Sequence, residues 1–78
     1  MKMKKYGENE IEVSFENGSV VLFSYETPVA AVHNLEVLVS KTKYSASTTK
    51  HVNRFIKRWN RPFFIVEQEM INNMVVCI

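Results

Sequence analysis

A chain of 78 residues has room for one domain and one core, and its 46% hydrophobic and 23% charged residues match globular averages, which excludes wholesale disorder. Cys77 is the single cysteine, so an internal disulfide framework is excluded, and with only His33 and His51 beside it a closed zinc site lacks ligands. The net charge of +2 conceals a segregation: all lysines and arginines lie in the first five residues or between Lys41 and Arg61, whereas Tyr6 to Ser40 carries six glutamates and no basic side chain, a distribution that favours polyanions or acidic protein surfaces at one end of the molecule.

The start, Met1 to Lys5, is basic but is followed by Tyr6-Gly7-Glu8 rather than by an apolar run, so no secretory signal is expected, and no stretch is long and apolar enough to span a membrane. With a lone free thiol this suits a cytoplasmic protein. From Glu10 to Glu16 the pattern alternates, with Ile11, Val13 and Phe15 on one side and Glu10, Glu12 and Ser14 on the other, which predicts a half-buried strand. Asn17-Gly18 then offers the two positive-φ residues of a type I′ turn, and Ser19 to Tyr25 returns as a second strand. A two-residue loop pairs Phe15 with Val20, Val13 with Leu22 and Ile11 with Ser24, an apolar face, and sets Glu12 opposite Phe23 and Glu10 opposite Tyr25 on the other.

Thr27-Pro28 interrupts the chain, and Val29 to Val32 and Leu35 to Val39 read as two more strands joined near His33-Asn34. A four-stranded antiparallel meander from Glu10 to Ser40 is the expected sheet. Thr42 to Thr49 is polar, and Ser45, Ser47 or Thr48 is positioned to cap a helix from about Thr48 to Asn60. Along it Val52, Phe55, Ile56 and Trp59 recur at helical spacing, while Lys50, Arg54, Lys57, Arg58 and Arg61 fall on the opposite side. Pro62 ends it. Phe63 to Val66 reads as a short extended piece, and Ile71, Met74, Val75 and Ile78 repeat at helical spacing behind Glu67 and Glu69, predicting a second, shorter helix; two short strands are the alternative, since Val75 to Ile78 is also β-prone. The expected fold class is a single α+β domain over 1–78, the meander packed on the basic amphipathic helix with the short C-terminal helix filling the remaining core.

Between Lys41 and Arg61 there is no acidic residue, unlike an ordinary solvated helix that mixes signs. The five helix cations are therefore the candidate binding face, able to neutralise phosphates while the apolar side stays anchored. Lys43 and Tyr44 in the connector join them; Tyr44 either stacks on a base or partner or closes the edge of the core. His51 reads as a helix-edge residue rather than a general base, because no carboxylate is near it in sequence. His33 reads as a turn residue and Cys77 as packing. No paired carboxylates, glycine-rich phosphate loop or metal cluster appears, so neither an enzyme nor a cofactor is expected.

Ser24-Tyr25-Glu26-Thr27-Pro28-Val29-Ala30, then Lys43-Tyr44-Ser45 and Thr48-Thr49-Lys50-His51-Val52-Asn53-Arg54-Phe55, resemble a family of small bacteriophage-encoded proteins of uncharacterised function. The resemblance covers the middle half of the chain and implies an accessory role during infection in the host bacterial cytoplasm, including inhibition of a defence system in the manner of an anti-CRISPR. The partner would then be a host protein or ribonucleoprotein complex with an acidic surface. Nucleic acid held by the basic helix face is the alternative, and self-association through the sheet, where Val21, Phe23 and Tyr25 or the unpaired edges stand free, is a third.

Overall fold

The computed structural model describes residues 2–42 and 44–76, for Val76 the backbone alone; Met1, Lys43, Cys77 and Ile78 lie outside the described residues. The architecture is α+β, with six strands and two helices in the order β1 (Lys2–Gly7), β2 (Glu10–Ser14), β3 (Val20–Ser24), β4 (Thr27–His33), β5 (Glu36–Ser40), α1 (Ala46–Trp59), β6 (Phe63–Val66) and α2 (Gln68–Val76). The strands form one sheet in sequence order, antiparallel from β1 to β5, with β6 parallel to β5.

The expected meander is present as β2 to β5 but is the middle of a larger mixed sheet. β1 extends it on one side, where backbone pairing with β2, Lys4 standing opposite Glu12, holds a lysine-rich segment of poor strand propensity. On the other side α1 serves as the crossover that a parallel strand requires, and it returns the chain to lay β6 beside β5.

The first hairpin differs from expectation in a way that decides the rest. The Phe15 N–H donates to the Ser19 carbonyl at 2.8 Å and the Gly18 N–H to the Phe15 carbonyl at 3.0 Å, so the loop has three residues, Glu16 to Gly18. Only Gly18 has positive φ there, at 90°, and the Asn17 side chain accepts from the Ser19 N–H instead of sitting in a type I′ turn. This is the three-residue loop closed by a left-handed glycine. The register moves by one: Ser14 faces Val20, Val13 faces Val21, Glu12 faces Leu22, Ile11 faces Phe23 and Glu10 faces Ser24. A one-residue shift sends every side chain of a strand to the other face. Glu10 and Glu12 consequently share the side of Val20 and Leu22, against α1.

The type I′ turns lie elsewhere, at Tyr25-Glu26, with φ of 51° and 66°, and at Asn34-Leu35, with φ of 52° and 66°. The second begins one residue later than the sequence suggested. Leu35 is 67% exposed, so its side chain compensates little of the cost of a left-handed backbone. Leu35→Gly, which creates the asparagine-glycine pair such a turn prefers, is expected to raise stability by about 0.5–1 kcal/mol; the midpoint of urea unfolding measures it. Pro28 stands opposite Phe23 beside an irregularity between Leu22 and Phe23, the kind of position at which a strand admits proline.

The main core lies between the sheet and α1. Val20, Leu22, Val29, Ala30, Val32, Val37, Val39 and Phe55 are buried together, with Tyr44, Val52, Ile56 and Trp59 packed around them. The helical stripe read from the sequence is therefore the buried one, widened by Thr48, which is also buried. Ser45 is the N-cap, its hydroxyl accepting from the Thr48 N–H at 3.3 Å, and Asn60 closes the other end in the left-handed conformation ahead of Pro62. On the opposite face Val21 and Ala31 have no exposed surface. α2 packs against β4 and β5, and its Ile71 is fully buried. The second helix is thus the correct alternative for residues 68–76.

Candidate functional site

Of the five cations predicted on the helix, Lys50, Arg54, Lys57 and Arg58 lie in α1 and Arg61 lies beyond its left-handed cap at Asn60, and the five divide into two groups. Lys50, Lys57 and Arg61 are exposed and, among the described residues, have no acidic partner. Arg54 and Arg58 turn toward β2 instead. The Arg54 Nη2 donates to Glu10 Oε1 at 2.6 Å, while Arg58 donates through Nε and Nη2 to Glu12 Oε2 at 2.7 and 2.5 Å and holds Nη1 3.9 Å from Glu10 Oε2. The reading of five free cations is corrected on this point. Its physical cause is the hairpin register, which buries Glu10 and Glu12 to 2% and 5% exposure under α1, where a carboxylate must be met by a charged donor.

A polar seam continues from these pairs. Ser24 Oγ lies 3.0 Å from Thr48 Oγ1 and 2.7 Å from His51 Nδ1, and His51 Nε2 lies 3.9 Å from Glu10 Oε1. The Tyr25 ring stacks on His51 at 5.9 Å between centroids. The order serine, histidine, carboxylate is that of a nucleophilic triad, but Ser24 is buried between the sheet and Thr48, where a substrate carbonyl cannot reach its hydroxyl. What the seam does is fix α1 on the sheet. Its members come from three elements, so nothing in the local sequence of any one of them signalled it, and the expectation that no carboxylate stands near His51 held in sequence but not in space.

Because Arg54 reaches Glu10 and Arg58 reaches Glu12, α1 runs in the same direction as β2, and the Arg58 side chain extends on to Tyr6 of β1. There Lys2 and Lys4, opposite Ser14 and Glu12, project on the side of the sheet that carries α1. The Arg58 guanidinium lies 3.7 Å from the centre of the Tyr6 ring, and the Lys4 ammonium lies 5.2 Å from it. Tyr6 is 36% exposed. The fold thus brings the two basic segments of the chain together at one aromatic ring, through Lys4 of β1 and Arg58 of α1. Sequence reading missed Tyr6 and the first lysines because it had no strand there to place them.

Tyr44 takes the second of its two expected positions. It packs at the edge of the main core, half-buried, and its hydroxyl donates to Gln68 Oε1 while Gln68 Nε2 donates to the Pro28 carbonyl at 2.6 Å. It ties α2 to the connector and is not directed outward with the cations. His33, at the end of β4, holds Nδ1 3.2 Å from Ser19 Oγ, close to the turn position expected of it. Among the described residues no helix is long and apolar enough to cross a membrane.

Comparison with curated proteins and with solved structures returned no match. The model of a family of unknown function, DUF8033, matches residues 1–73, and the chain belongs to that family.

Proposed function

We propose that the protein is a non-enzymatic binding module that holds single-stranded nucleic acid on the surface formed by β1 and the outer side of α1. The observation that carries this reading is Tyr6, exposed at the junction of the two basic segments with Arg58 stacked on it and Lys4 beside it. An aromatic ring among cations is what a flexible strand requires: bases stack on the ring and guanidinium planes while lysines follow the phosphates. Arg54 and Arg58 satisfy Glu10 and Glu12, so the phosphate contacts fall to Lys2, Lys4, Lys50, Lys57 and Arg61.

Fluorescence anisotropy with labelled DNA and RNA single strands tests it. Five phosphate contacts on a single strand are expected to give a log-log salt slope of about −3.5, and each lysine or arginine replaced by alanine lowers its magnitude by about 0.7. Tyr6→Ala is expected to weaken binding about tenfold with the slope unchanged. Affinity that is absent at low salt, or indifferent to Tyr6, overturns the reading. The resemblance to phage-encoded proteins supports a second reading, an inhibitor of a bacterial defence complex that sets the same cationic surface on an acidic protein. In that case free strands leave the anisotropy flat while CRISPR interference falls in cells expressing the chain.

A further inference from the structure

The two edges of the sheet are built differently. β1 carries Lys2, Lys4 and Lys5, the charged residues that keep an edge strand from pairing with another chain. β6 carries none: its first three residues, Phe63, Phe64 and Ile65, are 52%, 49% and 60% exposed. Among the described residues β6 has a strand on one side only. The Val37 N–H donates to the Pro62 carbonyl at 2.9 Å and the Lys41 N–H to the Val66 carbonyl at 2.8 Å. Alternation along a parallel strand then directs the backbone of Phe64 to β5 as well, and leaves the N–H and C=O groups of Phe63 and Ile65 on the open side.

We infer that a second copy of this chain pairs antiparallel with β6, forming a two-fold dimer centred on Phe64. Residues with outward backbone groups must meet their own kind, so the axis can pass through Phe63, Phe64 or Ile65. On Phe63 it sets Arg61 opposite Ile65, and on Ile65 it sets Glu67 opposite Phe63. Only on Phe64 does Arg61 stand opposite Glu67 of the second copy, and the symmetry repeats this match at the other end. The same register forms both hydrogen-bonded pairs between Phe63 and Ile65 and brings the two Phe64 rings together in the closer, non-hydrogen-bonded position. Glu67 is reachable for this purpose, since it and its intrachain partner Lys41, at 2.6 Å, are both largely exposed. Phe63 and Ile65 also form one wall of an open groove of about 440 Å³ against Val52 and Ile56 of α1, which the second copy's strand would border. Directly paired residues share a face, so both α1 helices lie on the same side of one continuous sheet.

Sedimentation equilibrium over a wide concentration range tests the dimer. The unaltered chain is expected to associate reversibly into dimers, and Ile65→Lys, at an exposed position outside the core, to remain folded by circular dichroism and become monomeric. Arg61→Glu is expected to weaken association about tenfold by placing like charges together at both ends. Arg61→Glu with Glu67→Arg is expected to restore it, which a merely structural effect of either change would not do. A chain that stays monomeric throughout, a dimer whose affinity Ile65→Lys leaves unchanged, or a charge exchange that fails to restore association overturns the inference.

Discussion

Phe55→Ala is expected to destabilise the fold by about 3–5 kcal/mol, the range for removing a buried aromatic ring and leaving a cavity. Phe55 has no exposed surface and is the one fully buried apolar side chain that α1 contributes to the main core. Its ring also lies 6.3 Å from that of Trp59, so its removal leaves the larger ring without a neighbour on that side. A domain of 78 residues has a total stability of roughly 4–12 kcal/mol, so the variant sits near the unfolding threshold. Thermal unfolding followed by circular dichroism is the measurement. A loss below about 1 kcal/mol would mean that α1 is held chiefly by its polar seam and not by its apolar stripe.

The seam supplies the second large effect. Arg58→Met leaves Glu12, 5% exposed, without its charged donor, and takes from Glu10 Oε2 a guanidinium 3.9 Å away; that oxygen has no hydrogen-bond partner even in the intact protein. Breaking a buried pair on one side costs about 3–5 kcal/mol, and since the Arg58 side chain keeps 26% of its surface in water about 2–3 kcal/mol is expected here. The double variant Glu12→Leu/Arg58→Met removes both charges and extends the apolar contact with Leu22, and it is expected to recover most of that loss. Chemical denaturation of the two single variants and the double closes a thermodynamic cycle. A single-variant loss below about 1 kcal/mol would identify an ordinary surface pair, and Arg58 would then count among the free cations of the binding face.

Local pattern alone carried much of the fold. Alternation marked β2 and β3, apolar spacing marked both the buried stripe of α1 and the existence of α2, and the piece expected at Phe63–Val66 is β6. These features depend on neighbours a few residues apart, and they are legible for that reason. β1 was not legible, because a lysine-rich segment has no strand signal of its own and is held by pairing with β2. The parallel placement of β6 was not legible either, since it depends on where a helix returns the chain.

The candidate site follows the same division. Segregation of the basic residues and the separation of the α1 cations from its apolar stripe are legible in the chain, because both are matters of order along it. How many of those cations are free depends on packing. One additional loop residue at Glu16 to Gly18 turned Glu10 and Glu12 inward, and burial of two carboxylates then required Arg54 and Arg58 as partners. The same packing brought the Arg58 side chain to β1 and placed Tyr6 close to both Lys4 and Arg58. Contacts between residues more than forty positions apart are set by register and by the cost of desolvating charge, neither of which the spacing of residues in a line expresses.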